Sequence, residues 1–201
     1  MSTSKIASAD RGAASLVELS ARGLVEHVAS QQHGMVGAVI ALSASQACAL
    51  GEACVRITAA VAPEPPAGND VADLLSDARQ RLLELVDRDA SAVAAYVALR
   101  AAGRTLEGQA LLCDLPVEMG RLAVAAAEAL SAFRPHVAER AHDDLEMAIV
   151  LLKGTASAAM LLLDHALRLF PEPELHLRFE PERVALESAI ARLVPVSRIR
   201  E

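Results

Sequence analysis

One carboxylate in the sequence, Asp89, falls among apolar positions. At 100° per residue along a helix, Asp89 shares a face with Leu82 and Tyr96, whereas Asp87 points nearly the opposite way. A carboxylate directed into a core is costly unless it is paired or hydrogen-bonded. Asp89 is therefore either a general base or substrate-orienting acid with a pKa raised by burial, or a structural partner of a neighbouring helix.

A second group of ionisable residues precedes a long apolar segment. Asp144 follows His142 and Asp143, and Glu146 lies two residues later. Because negative charge is favoured at a helix N-terminus, Asp144 is either the N-cap or first-turn residue of this helix or an acid that handles protons. Consecutive residues at a helix start rarely face one ion, so we predict no metal site here.

Lys153 is a lone cation within the same apolar segment. It needs either a carboxylate partner or a route to solvent along its own stem. We hypothesise that Lys153 is the counter-charge of Asp89 across the helices.

Two glycines and two arginines are candidates for ligand binding. Gly34 and Gly37 permit a turn and a close backbone approach at a helix N-terminus, where free amides attract anions. The alternative is an ordinary helix start without a ligand. Arg56 and Arg100 are the best remaining cations for an anionic ligand, although such residues also complement helix C-terminal dipoles. His33, beside the glycines, is expected to be a surface residue.

Helices must position all of these residues. Apolar spacing, prolines and glycines predict an all-α bundle of five to six mostly long antiparallel helices in a single domain, 1–201, with flexible ends at 1–12 and 195–201. The second helix has a face of small residues that invites close helix packing. The predicted helices cover 13–30, 36–62, 71–102, 116–133, 143–170 and 181–194, with a shorter piece over 106–114.

Composition excludes several classes of protein. A net charge of −7, one Tyr and no Trp argue against nucleic-acid binding, which needs clustered cations and stacking aromatics. The apolar stretch from Met147 to Leu163 is shorter than the roughly 20 residues that span a bilayer, so we predict a buried helix and no membrane contact. Residues 1–15 do not resemble a signal peptide, and we expect a cytoplasmic protein. The odd number of cysteines, without C-x-x-C spacing, predicts reduced thiols in the core or an interface.

The order of elements and three segments resemble the cyclodeaminase/cyclohydrolase family of one-carbon folate enzymes. These segments are the leucine-rich run Leu82–Ala90 with its Asp-Ala step, the Pro116-Val117 pair, and Asp144 followed by Ala148 in an Ala/Leu-rich helix. The resemblance implies a helical bundle, usually a dimer, that holds a folate near a glycine-rich turn. It implies opening of methenyl- or formimino-tetrahydrofolate, with the folate as substrate and no cofactor. The site residues it implies are Asp89 and Asp144 for proton transfer, and Gly34, Gly37, Ala38, Arg56 and Lys153 around the substrate.

This sequence departs from the family pattern at several polar positions. The family's Pro-Gly-Gly-Gly-Ser turn corresponds to Gly34-Met35-Val36-Gly37-Ala38, and a later family asparagine falls on Leu162. Two alternatives therefore stand beside a folate enzyme: a non-catalytic dimeric interaction protein, and an enzyme with a changed, less anionic substrate. If the protein is catalytic, we expect Asp89, Asp144 and the glycine turn to converge on one open pocket. If it is a non-catalytic interaction protein, we expect Met35 and Leu162 to fill that pocket.

Overall fold

The computed structural model describes residues 15–31, 35–61, 68–196 and 199, and these residues form helices without any strand. Short 3-10 turns lie at Leu16–Glu18 and Arg134–His136. The all-α prediction is confirmed. The six α-helices are α1 (Ala21–Ser30), α2 (Val36–Ala59), α3 (Gly68–Ala101), α4 (Thr105–Phe133), α5 (Glu139–Leu169) and α6 (Pro173–Arg192).

Helices α2 to α5 form a closed four-helix arrangement. Each packs on the next, and α5 returns to α2, while α6 packs against α4 and α5. The small-residue face of α2 is buried as predicted, so the helices pack closely against it. One hydrophobic core extends from Leu16 to Leu193 and is built largely from Ala and Leu.

Two prolines do not end helices where the sequence predicted breaks. Pro116 lies inside α4, which runs unbroken from Thr105, and Pro181 lies inside α6, which begins at Pro173. A proline removes one backbone hydrogen bond and clashes with the carbonyl four residues earlier. In α4 the free energy gained by burying the residues around the proline outweighs that cost. The buried residues are Cys113, Leu115, Pro116 and Val117.

Two helix starts also differ from prediction. Helix α1 begins at Ala21 because the Ser20 hydroxyl accepts a hydrogen bond from the Gly23 amide at 3.1 Å, as an N-cap does. Helix α5 begins at Glu139, so Asp144 belongs to its second turn. The prediction that Asp144 caps this helix or lies in its first turn is wrong.

Two carboxylates form hydrogen bonds with the segments that precede α1 and follow α6. Asp87 accepts hydrogen bonds from the Ser15 hydroxyl at 2.6 Å and the Leu16 amide at 2.7 Å. Glu146, which is 2% exposed, pairs with Arg134 and accepts a hydrogen bond from the Val196 amide at 3.3 Å. Glu146 is therefore a buried structural residue of α5 and not a helix-start acid.

The cysteines are free and buried, as predicted. Burial is the main cause that raises the pKa of Cys48 and Cys113 to about 12 and that of Cys54 to about 11. Nearby charge adds to the shift at Cys54, where Asp144 contributes. All three thiols are therefore protonated and unreactive near neutral pH.

Helices α2 and α5 are long and apolar enough to cross a bilayer by length and composition alone. Core helices of water-soluble bundles have the same properties, and 56% of the apolar stretch of α2 is buried here, against 44% for α5. The prediction of a buried α5 is thus only partly right, because Met147, Val150, Leu151 and Leu161 are exposed.

Candidate active site

The Asp89 carboxylate lies against the first turn of α2. Its Oδ2 accepts a hydrogen bond from the Ala38 amide at 2.7 Å. The first amides of a helix have no partner within the helix and carry a partial positive charge, so they stabilise a carboxylate there. A Cβ built on Gly37 would overlap the Asp89 carboxyl group, with Oδ2 only 2.7 Å away. Glycine at position 37 is therefore what permits this close approach.

The environment of Asp89 changes its acidity. Burial raises the pKa of this carboxyl group, and the hydrogen bond from Ala38 partly offsets the increase. A raised pKa brings a carboxylate closer to the range in which it both accepts and returns a proton near neutral pH. Asp89 thus combines a fixed position with a pKa raised above that of an ordinary aspartate.

A pocket of about 210 Å³ opens beside Asp89, between α2, α3, α4 and α5. Its walls are mainly apolar, and Asp89 and His165 are the only ionisable residues among the described residues that line it. The walls include Met35, Val93, Leu162 and Phe170. Met35 and Leu162 therefore narrow the pocket and do not fill it.

His165 is a pocket residue that the sequence analysis missed. It lies on α5, and its Nδ1 is 3.0 Å from Nη2 of Arg168, which does not itself line the pocket. Leu162 falls where the family has an asparagine, and His165 lies three residues later on the same helical face. That spacing was the signal that would have identified it.

The other predicted residues lie away from this pocket. Asp144 precedes the pocket residue Leu162 by 18 positions on α5, which corresponds to about 27 Å of helix. Arg56 follows Gly37 by 19 positions on α2, about 28 Å. Both belong to the opposite end of the bundle, where the Thr58 hydroxyl accepts a hydrogen bond from the Ala138 amide at 3.0 Å. Within one chain, Asp89 and Asp144 do not converge.

Lys153 does not pair with Asp89. Its Nζ donates a hydrogen bond to the Leu193 carbonyl at 2.6 Å, just past the end of α6. That carbonyl is available because helix C-terminal carbonyls have no partner within the helix. The hypothesis of a Lys153–Asp89 ion pair is therefore wrong, and Lys153 ties α5 to the end of α6.

Gly34 and His33 lie outside the described residues. In the part of the chain that the structure does describe, no group of three or more His, Cys, Asp or Glu side chains is arranged to hold a metal ion. The chemistry available at the pocket is thus that of one carboxylate, one imidazole and the α2 amides.

Comparisons with known proteins agree with this architecture. The crystal structure of formiminotetrahydrofolate cyclodeaminase from Thermotoga maritima matches with a TM-score of 0.77 over 88% of this chain and 92% of that chain, at 19% sequence identity. At that identity the likeness establishes the fold. No curated protein sequence matches the chain. A profile of the family described as formiminotransferase-cyclodeaminase matches residues 20–182, which is most of the chain. The chain therefore belongs to the formiminotransferase-cyclodeaminase family.

Proposed function

We propose that the Asp89 pocket is the active site of a folate cyclohydrolase or cyclodeaminase, which opens or rearranges a one-carbon adduct of tetrahydrofolate. The observation that carries this proposal is a carboxylate held by the α2 amide in a small apolar pocket. Family membership and the fold shared with formiminotetrahydrofolate cyclodeaminase support it.

One carboxylate is enough for either reaction. In hydrolysis, water adds to the methenyl carbon and gives one proton to Asp89, which passes it to the ring nitrogen as the bond between that nitrogen and the carbon breaks. The remaining hydroxyl proton is released to solvent as the formyl C=O bond forms. In deamination, the side-chain amine nitrogen N10 adds to the carbon of the protonated formimino group on N5 and loses its proton to Asp89. Asp89 then protonates the departing amine, which leaves as ammonia.

The carboxylate in the pocket attracts the positive charge that such a substrate carries. A methenyl or protonated formimino group is an amidinium-type cation, and an ionised carboxylate in an apolar pocket attracts it more strongly than the same pair would attract in water. The volume of about 210 Å³ is below the roughly 300–1,000 Å³ usual for pockets that enclose a drug-sized ligand. The pocket thus suits the reacting ring, with the remainder of a folate outside it.

No metal or organic cofactor is required by this chemistry, because the methenyl carbon is already electrophilic and the protein mainly positions reactants. The proposal also includes a cytoplasmic location and a homodimer.

A substrate without the anionic tail is a second candidate. In favour of it, Leu162, which falls where the family has an asparagine, lines the pocket and makes it more apolar. The two candidates differ in one measurement: the ratio of kcat/KM for methenyl-tetrahydrofolate to that for the corresponding methenyl-tetrahydropterin without glutamate. A ratio below one favours the changed substrate, and a ratio above one favours the folate.

The experiment that tests the proposed function is a turnover assay of purified protein with 5,10-methenyl-tetrahydrofolate, followed by the loss of its absorbance, and with 5-formimino-tetrahydrofolate, followed by ammonia release. We expect turnover above the spontaneous rate, and a fall in kcat of roughly 10²–10⁴-fold in Asp89→Asn. The matched control is Asp73→Asn, an exposed aspartate on the same helix, which should keep wild-type turnover. Turnover equal to the background with both substrates would reject the enzyme and favour the non-catalytic interaction protein.

A further inference from the structure

The proposed reactions use Asp89 and leave His165, the other ionisable residue among those described around the pocket, without a role. The His165 ring lines the pocket from α5, whereas Asp89 lies on α3. An imidazole donates a hydrogen bond through one nitrogen and accepts one through the other. What it offers to a ligand therefore depends on which nitrogen carries the proton.

Arg168 determines where the proton of His165 lies. Nη2 of Arg168 is 3.0 Å from Nδ1 of His165, one helical turn away on α5. A guanidinium stays protonated in proteins and has only donors, so Nδ1 must accept this hydrogen bond with its lone pair. A proton on Nδ1 would set two N–H donors against each other. The single proton of the neutral ring is therefore on Nε2.

The nitrogen that remains for a ligand is thus a donor. Nδ1 is engaged by Arg168, which does not line the pocket, so Nε2–H is the polar group that His165 offers to a ligand there. The pocket then has two unlike polar groups, because the Asp89 carboxylate accepts hydrogen bonds and attracts positive charge. Among mainly apolar walls, a donor favours a ligand that brings an acceptor to it.

A tetrahydrofolate adduct carries a complement to each of these groups. Its cationic one-carbon group suits the Asp89 carboxylate. The pterin ring has one carbonyl, on the carbon next to the ring fusion beside N5, so this acceptor lies on the same edge of the ring as the one-carbon group. Because the pocket has a volume of only about 210 Å³, a single ring can contact both Asp89 and His165.

We infer that His165, with its proton held on Nε2 by Arg168, binds the carbonyl oxygen of the pterin ring and orients the one-carbon group toward Asp89. This role of His165 rests on the proposed function, whereas the position of its proton does not. Arg168 is a positioning residue, because it acts on the substrate only through His165. We therefore expect the pocket to distinguish a 4-oxo ring from a 4-amino ring, whose N–H groups would face Nε2–H.

The position of the proton is tested by long-range ¹H–¹⁵N NMR of the protein at about pH 8, where histidine rings are generally neutral. The signals of His165 are identified by their loss in His165→Gln. We expect a protonated Nε2 and an unprotonated Nδ1 in the wild type. In Arg168→Leu the ¹⁵N shifts should move toward the average of two exchanging tautomers. A protonated Nδ1 in the wild type, or the same shifts in both proteins, would overturn the inference.

Recognition of the ring is tested by calorimetric titration with two stable ligands, 5-formyl-tetrahydrofolate and its 4-amino counterpart. The quantity measured is the Kd of the 4-amino ligand divided by the Kd of the 4-oxo ligand. We expect His165→Leu to lower this ratio roughly tenfold, because the 4-oxo ligand loses a hydrogen bond and the 4-amino ligand loses a repulsion. His165→Gln, whose amide also donates, should keep most of the wild-type ratio. The control His176→Leu, at an exposed histidine on α6, should keep all of it.

The outcomes separate this inference from the proposed function. An unchanged ratio in His165→Leu, together with turnover of methenyl-tetrahydrofolate by the wild type, would overturn recognition of the ring carbonyl and leave the proposed function intact. If the wild type binds neither ligand and shows no turnover, the proposed function and this role of His165 are both rejected. The NMR spectra then still decide whether Arg168 holds the proton of His165 on Nε2.

Discussion

At Gly37 the chain has no room for a side chain, because the Asp89 carboxylate occupies the position that a Cβ would take. Asp89 in turn depends on the Ala38 amide next to that glycine. The two residues therefore act as a pair, and their energetic effects should not be additive.

We expect Gly37→Ala to lower the free energy of unfolding by roughly 1–3 kcal/mol in the wild type, through overpacking against Asp89. In an Asp89→Ala background the same change should be neutral or stabilising by up to about 1 kcal/mol, because alanine is the better helix former. Urea unfolding of the four proteins measures both effects. Equal effects of Gly37→Ala in the two backgrounds would show that the carboxylate and the glycine do not meet.

Burial of Asp89 also predicts a dependence of stability on pH. Because its folded-state pKa is raised, the folded protein holds this proton more tightly than the unfolded chain does. The stabilisation from this group is fully present below the unfolded pKa of about 3.9 and is lost as pH rises through the raised folded pKa. Between pH of about 3.5 and 7, the stability of Asp89→Asn relative to wild type should therefore increase.

Urea unfolding of both proteins across that pH range measures the difference. A relative stability of Asp89→Asn that falls with pH would mean that the hydrogen bond from Ala38 outweighs burial. In the activity assay, the corresponding expectation is that kcat/KM rises with pH as Asp89 ionises to serve as the base.

Among the helices, α5 depends on an ion pair between a buried glutamate and a partly exposed arginine. Glu146 is 2% exposed and meets Arg134, whose guanidinium also donates to the Val194 carbonyl at 3.4 Å. Loss of the Glu146 charge removes charge-assisted hydrogen bonds to a partly exposed guanidinium, which costs more than loss of an exposed pair.

We therefore expect Glu146→Gln to lower the free energy of unfolding by about 1.5–3 kcal/mol. Glu182→Gln, which breaks the exposed Arg121–Glu182 pair, should cost at most about 1 kcal/mol. Unfolding of the wild type and the two variants in guanidinium chloride measures both losses of stability. An equally small loss of unfolding free energy in both variants would show that Glu146 is exposed to water.

Helix type was predictable from sequence, while helix boundaries at prolines were not. Apolar spacing correctly predicted α2, α3 and the end of α5. It failed at Pro116 and Pro181, because local rules count the lost hydrogen bond of a proline but not the core packing that offsets it. Burial of residues on both sides of Pro116 is a tertiary property, and it decided the outcome.

For the whole molecule, sequence reasoning named Asp89 and Gly37 as candidates, but it proposed Lys153 as the partner of Asp89 and did not identify which residues share its pocket. Asp89 and Gly37 were predictable, because a charge inside an apolar stripe needs a partner and a glycine at a helix start gives space for one. Asp144 and Arg56 were predicted to belong to the site, but the lengths of α5 and α2 put both residues at the opposite end of the bundle. His165 reaches the pocket because α3 and α5 both line it, which no single segment reveals.

The central claim is that turnover takes place in the pocket beside Asp89, and blocking that pocket without disturbing the core tests it most directly. Val93 lines the pocket and is 55% exposed, whereas Val97, one turn further along α3, is 59% exposed and does not line it. The measurement is the rate at which Val93→Trp and Val97→Trp convert 5,10-methenyl-tetrahydrofolate. Loss of turnover in Val93→Trp, with wild-type turnover in Val97→Trp and equal thermal stability of the two, is the predicted result; full turnover in Val93→Trp would contradict the account.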